Sequence, residues 1–156
     1  FEAPSFTLDT AVGLAAETIA LKQATTADLV LFLVTGDLTE SELQTLKQLA
    51  TQKRTLLVFN KRDQYLPDER QILLNRMREW GQGWLPSEDV IAIATEPRPL
   101  KVRQYQEDDT WQEWLEDQQP DVAALAQRLT AILQTESRQL VLASSLNHAR
   151  AVKTQA

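Results

Sequence analysis

The sequence predicts an α/β fold with a mainly parallel sheet and helices on its faces. Three observations predict it. The apolar runs Leu29–Val34 and Thr55–Phe59 flank a capped amphipathic helix. A third apolar run, Asp89–Ala94, follows a second helical segment. Strand–helix–strand alternation of this kind is the pattern of parallel sheets.

Each element has its own justification. Phe6-Thr7-Leu8-Asp9 is a short strand candidate, and Ala11 to Thr26 reads as a helix with Leu14, Thr18, Leu21 and Ala24 near one side. The continuous run Leu29–Val34 has the length and Val/Phe content of a strand buried on both faces. Gly36 permits the turn that follows. Thr39-Glu40-Ser41-Glu42 has the capping-box form, in which the threonine oxygen accepts a backbone N–H and the glutamate reaches back to the cap. It opens a helix to about Gln52 with Leu43, Leu46 and Leu49 inside. Thr55–Phe59 is the next strand, Pro67 to Trp80 a helix with Ile72, Leu73 and Met77 toward the core, and Asp89–Ala94 the third clear strand.

Pro97-Arg98-Pro99 ends the alternating pattern. From Leu100 to about Gln118, Val102, Gln104 and Gln106 alternate with Arg103 and Tyr105, and Glu107-Asp108-Asp109 precedes Thr110, Trp111 and Trp114. A small β-hairpin insertion is expected here, outside the core and away from the loops at the sheet's carboxyl edge. Asp121, after Pro120, starts a helix carrying Val122, Leu125, Leu129 and Leu133, which could continue with a break or kink from Ser137.

Composition narrows the function classes. At 156 residues, 43% hydrophobic and 24% charged, the chain is within the range of one domain and can bury a core. A net charge of −6 and a pI near 4.8 argue against nucleic-acid binding through a broad basic surface. There is no cysteine, so no disulfide or cysteine metal site is possible. No apolar run approaches the roughly 20 residues of a membrane-spanning helix, and no secretory signal is visible. The chain starts at Phe1, which reads as a fragment of a longer parent.

Asn60-Lys61-Arg62-Asp63 directly follows the apolar run Leu56-Leu57-Val58-Phe59. It fits Asn-Lys-x-Asp, the pattern with which GTP-binding domains read guanine. Guanine offers N1–H and N2–H₂ donors on one edge, and an ionised carboxylate such as Asp63 accepts from both in a charge-assisted pair. Asn60, at a strand end, can tie neighbouring loops together and approach the base. Lys61 can lay its methylene stem along the flat base while its ammonium stays in water. Open α/β sheets bind ligands at this carboxyl edge of the strands. The bland alternative is a polar strand-to-loop transition without a ligand.

On Ala27–Phe32, Gly36-Asp37-Leu38-Thr39, Asn60-Lys61-Arg62-Asp63 and Val90–Thr95, the chain resembles the G domain of Era-like, translation-factor-related GTPases. It looks like the bacterial members that carry a C-terminal domain of unknown function thought to associate with membranes. The resemblance covers most of residues 7–135. It implies a partial P-loop GTPase-like, doubly wound fold in residues 1–136, with the hairpin inserted at about 100–118, and the start of a downstream helical region in 137–156. It implies GTP or GDP as ligand, with Mg²⁺ and hydrolysis in the intact parent. It also implies a second guanine contact from a backbone N–H at Ala94-Thr95, where the family's serine is absent. The expected location is cytoplasmic, with membrane association only through the downstream region. A protein partner is expected through the hairpin or helices.

The phosphate side departs from the family. Glycines stand at 13, 36, 81 and 83, and none forms the Gly-x-x-x-x-Gly-Lys-Ser/Thr loop that cradles phosphates. Leu8-Asp9-Thr10 has the start of an Asp-x-x-Gly element, but Gly13 is one residue too far along, and Asp9 reads better as a strand-end or cap residue. The expectation is a base-reading half that does not hydrolyse GTP by itself. The rivals are a pseudo-GTPase or interaction module on a G-domain fold, and a receiver-like α/β domain. The receiver wants a lysine on a late strand end, where this chain has Ala94-Thr95. His148, the single histidine, supports no triad or histidine metal site. Asp108-Asp109 and Glu113/Glu116/Asp117 read as solvated acids rather than a cation site, and Trp80, Trp84, Trp111 and Trp114 as packing residues, with the hairpin pair able to form an interaction surface.

Overall fold

The structure is a computed structural model and describes residues 18–24 and 26–154. The expected strand Phe6–Asp9, the Asp9 and Gly13 assignments and the first part of the helix expected over Ala11–Thr26 lie outside these residues. Residues 18–24 are helical (α1). A three-stranded parallel sheet follows, with order β1-β2-β3: β1 is Leu29–Val34, β2 Arg54–Phe59 and β3 Val90–Ala92. α2 (Glu40–Gln52) links β1 to β2 and α3 (Pro67–Trp80) links β2 to β3. The α/β reading and the strand neighbours are as the alternation predicts.

Local chemistry sets the helix ends. The Thr39 hydroxyl accepts the Glu42 N–H at 3.3 Å while the Glu42 carboxylate accepts the Thr39 N–H at 2.8 Å. This reciprocal cap satisfies two donors that would otherwise be orphaned. α3 starts on Pro67, whose missing N–H costs nothing at that position, and Glu69 accepts the Leu66 N–H at 3.2 Å. On α3, Leu74 and Met77 are buried, whereas Ile72 is 59% exposed. The inward position expected for Ile72 is corrected: it sits roughly 140–160° around the helix from Leu74 and Met77.

The core has two parts, one on each face of the sheet. Val34, Leu57, Phe59 and Val90 pack with Leu46 of α2 and Leu74 and Met77 of α3. Leu56, Val58, Ile91 and Ile93 pack on the other face with Ile132, Leu125 and Leu129 of α4 (Ala123–Thr154). Each fully buried side chain of this size contributes about 1.5–3 kcal/mol. β2 is therefore the centre of the fold, with Leu56 to Phe59 buried on both sides. β1 departs from the burial expected on both its faces. Leu31 and Leu33 are exposed because β1 pairs only with β2 among the described residues and α4's apolar face reaches only Leu29 on it.

Asp89 was expected to begin the third strand and instead ends a 3₁₀ turn, Ser87–Asp89, at the amino edge of the sheet. Its fully buried carboxylate is ion-paired with Arg54 at the start of β2 and accepts from Arg128 Nε of α4 at 2.8 Å. Arg54 also pairs with Glu136 at 2.6 Å. The Asp89 and Glu136 carboxylates hold the Arg54 guanidinium above its usual range, against the opposing effect of burial. These pairs fasten α4 to the sheet.

Past β3 the chain forms an antiparallel hairpin of β4 (Leu100–Tyr105) and β5 (Trp111–Glu116), as the alternation predicts. The helix expected to start at Asp121 begins at Ala123 and runs without interruption through Ser137, where a break was open. Ile132 is buried and Leu133 is exposed, so the inward stripe is Leu125, Leu129 and Ile132. Among the described residues no helix is long and apolar enough to cross a membrane.

Candidate functional site

Asn60 leaves β2 at the carboxyl edge and closes that edge from within. Its N–H donates to the Val34 carbonyl at 2.8 Å, joining the ends of β1 and β2. Its side chain joins β2 to the segment after β3: Oδ1 accepts the Thr95 N–H at 3.1 Å, and Nδ2 donates to Thr95 Oγ1 at 3.0 Å. Asn60 and Thr95 thus stand together, as right-handed crossovers require of successive strand ends.

Asn60 Oδ1 also accepts the Lys61 N–H at 2.8 Å. Lys61 is held in the left-handed region at φ 61°. That conformation costs a non-glycine residue on the order of 1–3 kcal/mol, and such strain collects at functional sites. The Lys61 side chain is exposed and makes no ion pair among the described residues. Tyr65 closes the other side of the loop, donating its hydroxyl to the Thr35 carbonyl at 3.0 Å with its ring 5.3 Å from Phe59. Gly36 lies under that hydroxyl, where a Cβ would stand 3.3 Å away.

Asp63 sits in a 3₁₀ turn, Arg62–Gln64, and is exposed. One carboxylate oxygen accepts the Arg98 N–H at 3.0 Å; the other makes no bond among the described residues. Arg98 donates from its guanidinium to Gln64 at 3.1 Å. Arg62 donates its N–H to the Ile93 carbonyl at 3.0 Å and pairs with Asp121 at 2.5 Å.

The backbone donors at Ala94-Thr95 differ from expectation. The Ala94 N–H donates to the Asp121 carbonyl at 2.9 Å, and the Thr95 N–H is held by Asn60. Neither is open to a ligand, because Ala94 leaves the parallel ladder and pairs antiparallel with Asp121. The next N–H, on Glu96, makes no hydrogen bond among the described residues.

The hairpin is also less remote than expected. Its entry is fixed by the Asp63–Arg98 bond, two residues before β4. Its exit is fixed by the Ala94–Asp121 bridge and the Arg62–Asp121 pair. A cavity of about 470 Å³ opens between these roots, lined by Thr95, Glu96, Arg98 and Asp117 among others; Asn60 and Asp63 do not line it. Sequence reading missed Arg62, Glu96, Arg98 and Asp121. The flanking prolines of Arg98 were the available signal, since they fix the backbone that presents its N–H.

Elsewhere, Asp108 accepts the Thr110 N–H at 3.1 Å in the hairpin turn, and its bonds from Thr110 hold its carboxyl below the usual range. Among the described residues no group of three or more His, Cys, Asp or Glu could hold a metal ion.

Compared with known proteins, the chain matches no family model, no curated protein and no solved structure.

Proposed function

We propose that the loops at the carboxyl edge of this sheet read the base of a guanine nucleotide, on a P-loop GTPase-like fold of the Era-like kind. The observation that carries the reading is the Asn60–Thr95 clip beside the exposed Asp63 carboxylate, within one turn of a central strand end. Asp63 would accept the base N1–H and N2–H₂, Lys61 would cover the base face, and the open Glu96 N–H would take the donor role expected of Ala94-Thr95. Asn60 is a positioning residue, since its side chain is spent on Thr95 and Lys61.

The residues do not fit phosphate or Mg²⁺. Hydrolysis needs a phosphate loop, and these 156 residues contain no Gly-x-x-x-x-Gly-Lys-Ser/Thr sequence. The proposed parent activity is a GTP-driven switch, and the chain itself should bind guanine nucleotides weakly.

A second reading is favoured by one observation. Asp63 and Arg62 already hold both roots of the hairpin, so the motif could serve as a scaffold for an interaction module. Competition between GDP and ADP separates the two. A base reader prefers GDP at any affinity, by roughly tenfold or more for a charge-assisted pair; a scaffold shows no preference.

A further inference from the structure

We infer that the β4–β5 hairpin is a docking arm for an extended basic segment of a protein partner. The inference stands apart from the guanine reading.

The hairpin contributes to neither core cluster. It nonetheless carries Leu100, Tyr105, Trp111, Trp114 and Leu115, all exposed, with Leu115 and Tyr105 near 70%. A lone two-stranded ribbon is marginal in water, and apolar surface gathered on one is a mark of an interaction site. The roots are fastened at both ends by Arg98 and Asp121, so the arm is presented in a set direction and binding loses less freedom.

Register identifies the open face. Leu100 pairs with Glu116, Val102 with Trp114 and Gln104 with Gln112, and these six side chains share one face. The other face exposes Tyr105 and Leu115 at its ends, but its middle is crossed by the hairpin's own contacts: Lys101 and Arg103 both hold Glu113, and the Arg103 guanidinium lies 4.3 Å from the Trp111 ring centre. Trp114, in the middle of the face without such contacts and flanked by Leu100 and Glu116, is the anchor for a partner. Among the described residues this sheet has two strands, so the outer edge of each offers unpaired backbone groups to a third.

Charge selects the occupant. Residues 100–118 carry six carboxylates against two cations, a net charge of −4. Both cations are spent on Glu113, leaving Glu107, Asp108, Asp109, Glu116 and Asp117 without a cation among the described residues. A complementary strand is basic with apolar alternate residues. A second copy of this chain, at net −6, and an anionic lipid surface are both mismatched in sign.

The test uses the whole chain and a fluorescein-labelled peptide of about ten alternating valines and lysines, the length of a strand. A valine–glutamate peptide is the control. The basic peptide is expected to bind and shift tryptophan emission to the blue. Binding should weaken about tenfold in Trp114→Ala, the loss of an anchor. It should weaken at least as much in a variant combining Glu107→Gln, Asp109→Asn, Glu116→Gln and Asp117→Asn, which keeps shape and the turn. Both variants alter exposed side chains outside the core, and unchanged circular dichroism checks their folding. The inference is overturned if the basic peptide fails to bind, if the acidic peptide binds equally, or if neither variant weakens binding. Binding to phosphatidylserine vesicles, or a sedimenting dimer abolished by Trp114→Ala, would also overturn it. None of these outcomes alters the GDP–ADP comparison.

Discussion

Asp63 and Arg98 are joined by a single bond from the Arg98 N–H to a carboxylate oxygen, 3.0 Å long, and that bond links the carboxyl edge of the sheet to the root of the hairpin. The same carboxylate is the group assigned to the base. In the proposed base-reading role, ligand and hairpin would meet at one side chain.

Removing the acceptor tests that link. Asp63→Ala should speed amide exchange of Arg98 about tenfold, the loss of roughly one charge-assisted bond. Amides of the central strand, such as Leu57, should be unchanged. Exchange of Arg98 at the parent rate would mean that the root is held by other contacts.

Asn60→Ala should destabilise the fold by about 1–2 kcal/mol in urea, because the N–H groups of Lys61 and Thr95 lose their acceptor. Thr95→Ala removes only the Nδ2 acceptor and should cost less. Equal costs would show that the N–H contacts to Asn60 carry little of the clip.

Asp89→Asn should be the most damaging single change at the amino edge, at about 3–5 kcal/mol, since it leaves Arg54 and Arg128 facing a neutral group in the interior. Glu136→Gln, on the half-exposed side of the same network, should cost about 1 kcal/mol or less. Thermal melts that rank the two in the reverse order would contradict this assignment.

The hairpin should respond to acid. Lys101 and Arg103 hold the Glu113 carboxyl below its usual range. A depressed carboxyl adds stability that is present above the ordinary carboxylate pKa and is lost as pH falls through the lower folded value. Arg103 should leave the Trp111 ring only as pH falls below the ordinary carboxylate range, read as a change in emission. Glu113→Gln should remove that step, and Trp111→Phe should remove the signal.

Much of this fold is legible in the sequence. Four successive apolar residues, Leu56 to Phe59, can only be satisfied by two covered faces, and the polar tetrapeptide after them marks the sheet edge. The capping box at Thr39 and Glu42 fixes the start of α2 by local chemistry alone. What is not legible depends on distant partners. Leu31 and Leu33 read as buried because a run of apolar residues does not report how far a helix will reach across the sheet. Asp89 reads as a strand residue because its guanidinium partners lie 35 and 39 positions away. At the carboxyl edge, the sequence places Asn60 and Thr95 at neighbouring strand ends, and the structure bonds them to each other. The commitment of the Ala94 N–H to Asp121 depends on the chain's return after the hairpin, which no local pattern encodes.

The most direct test of the base-reading claim is a two-by-two titration of the chain and its Asp63→Asn variant with GDP and XDP, followed by amide shifts. The account predicts that GDP moves the amides of Lys61, Asp63 and Glu96 in the parent. It also predicts that Asp63→Asn weakens GDP by about 1.5–3 kcal/mol and favours XDP, because the new amide donates to the added xanthine oxygen. Parent shifts that are the same for GDP and XDP, or a GDP affinity unchanged by Asp63→Asn, would contradict it.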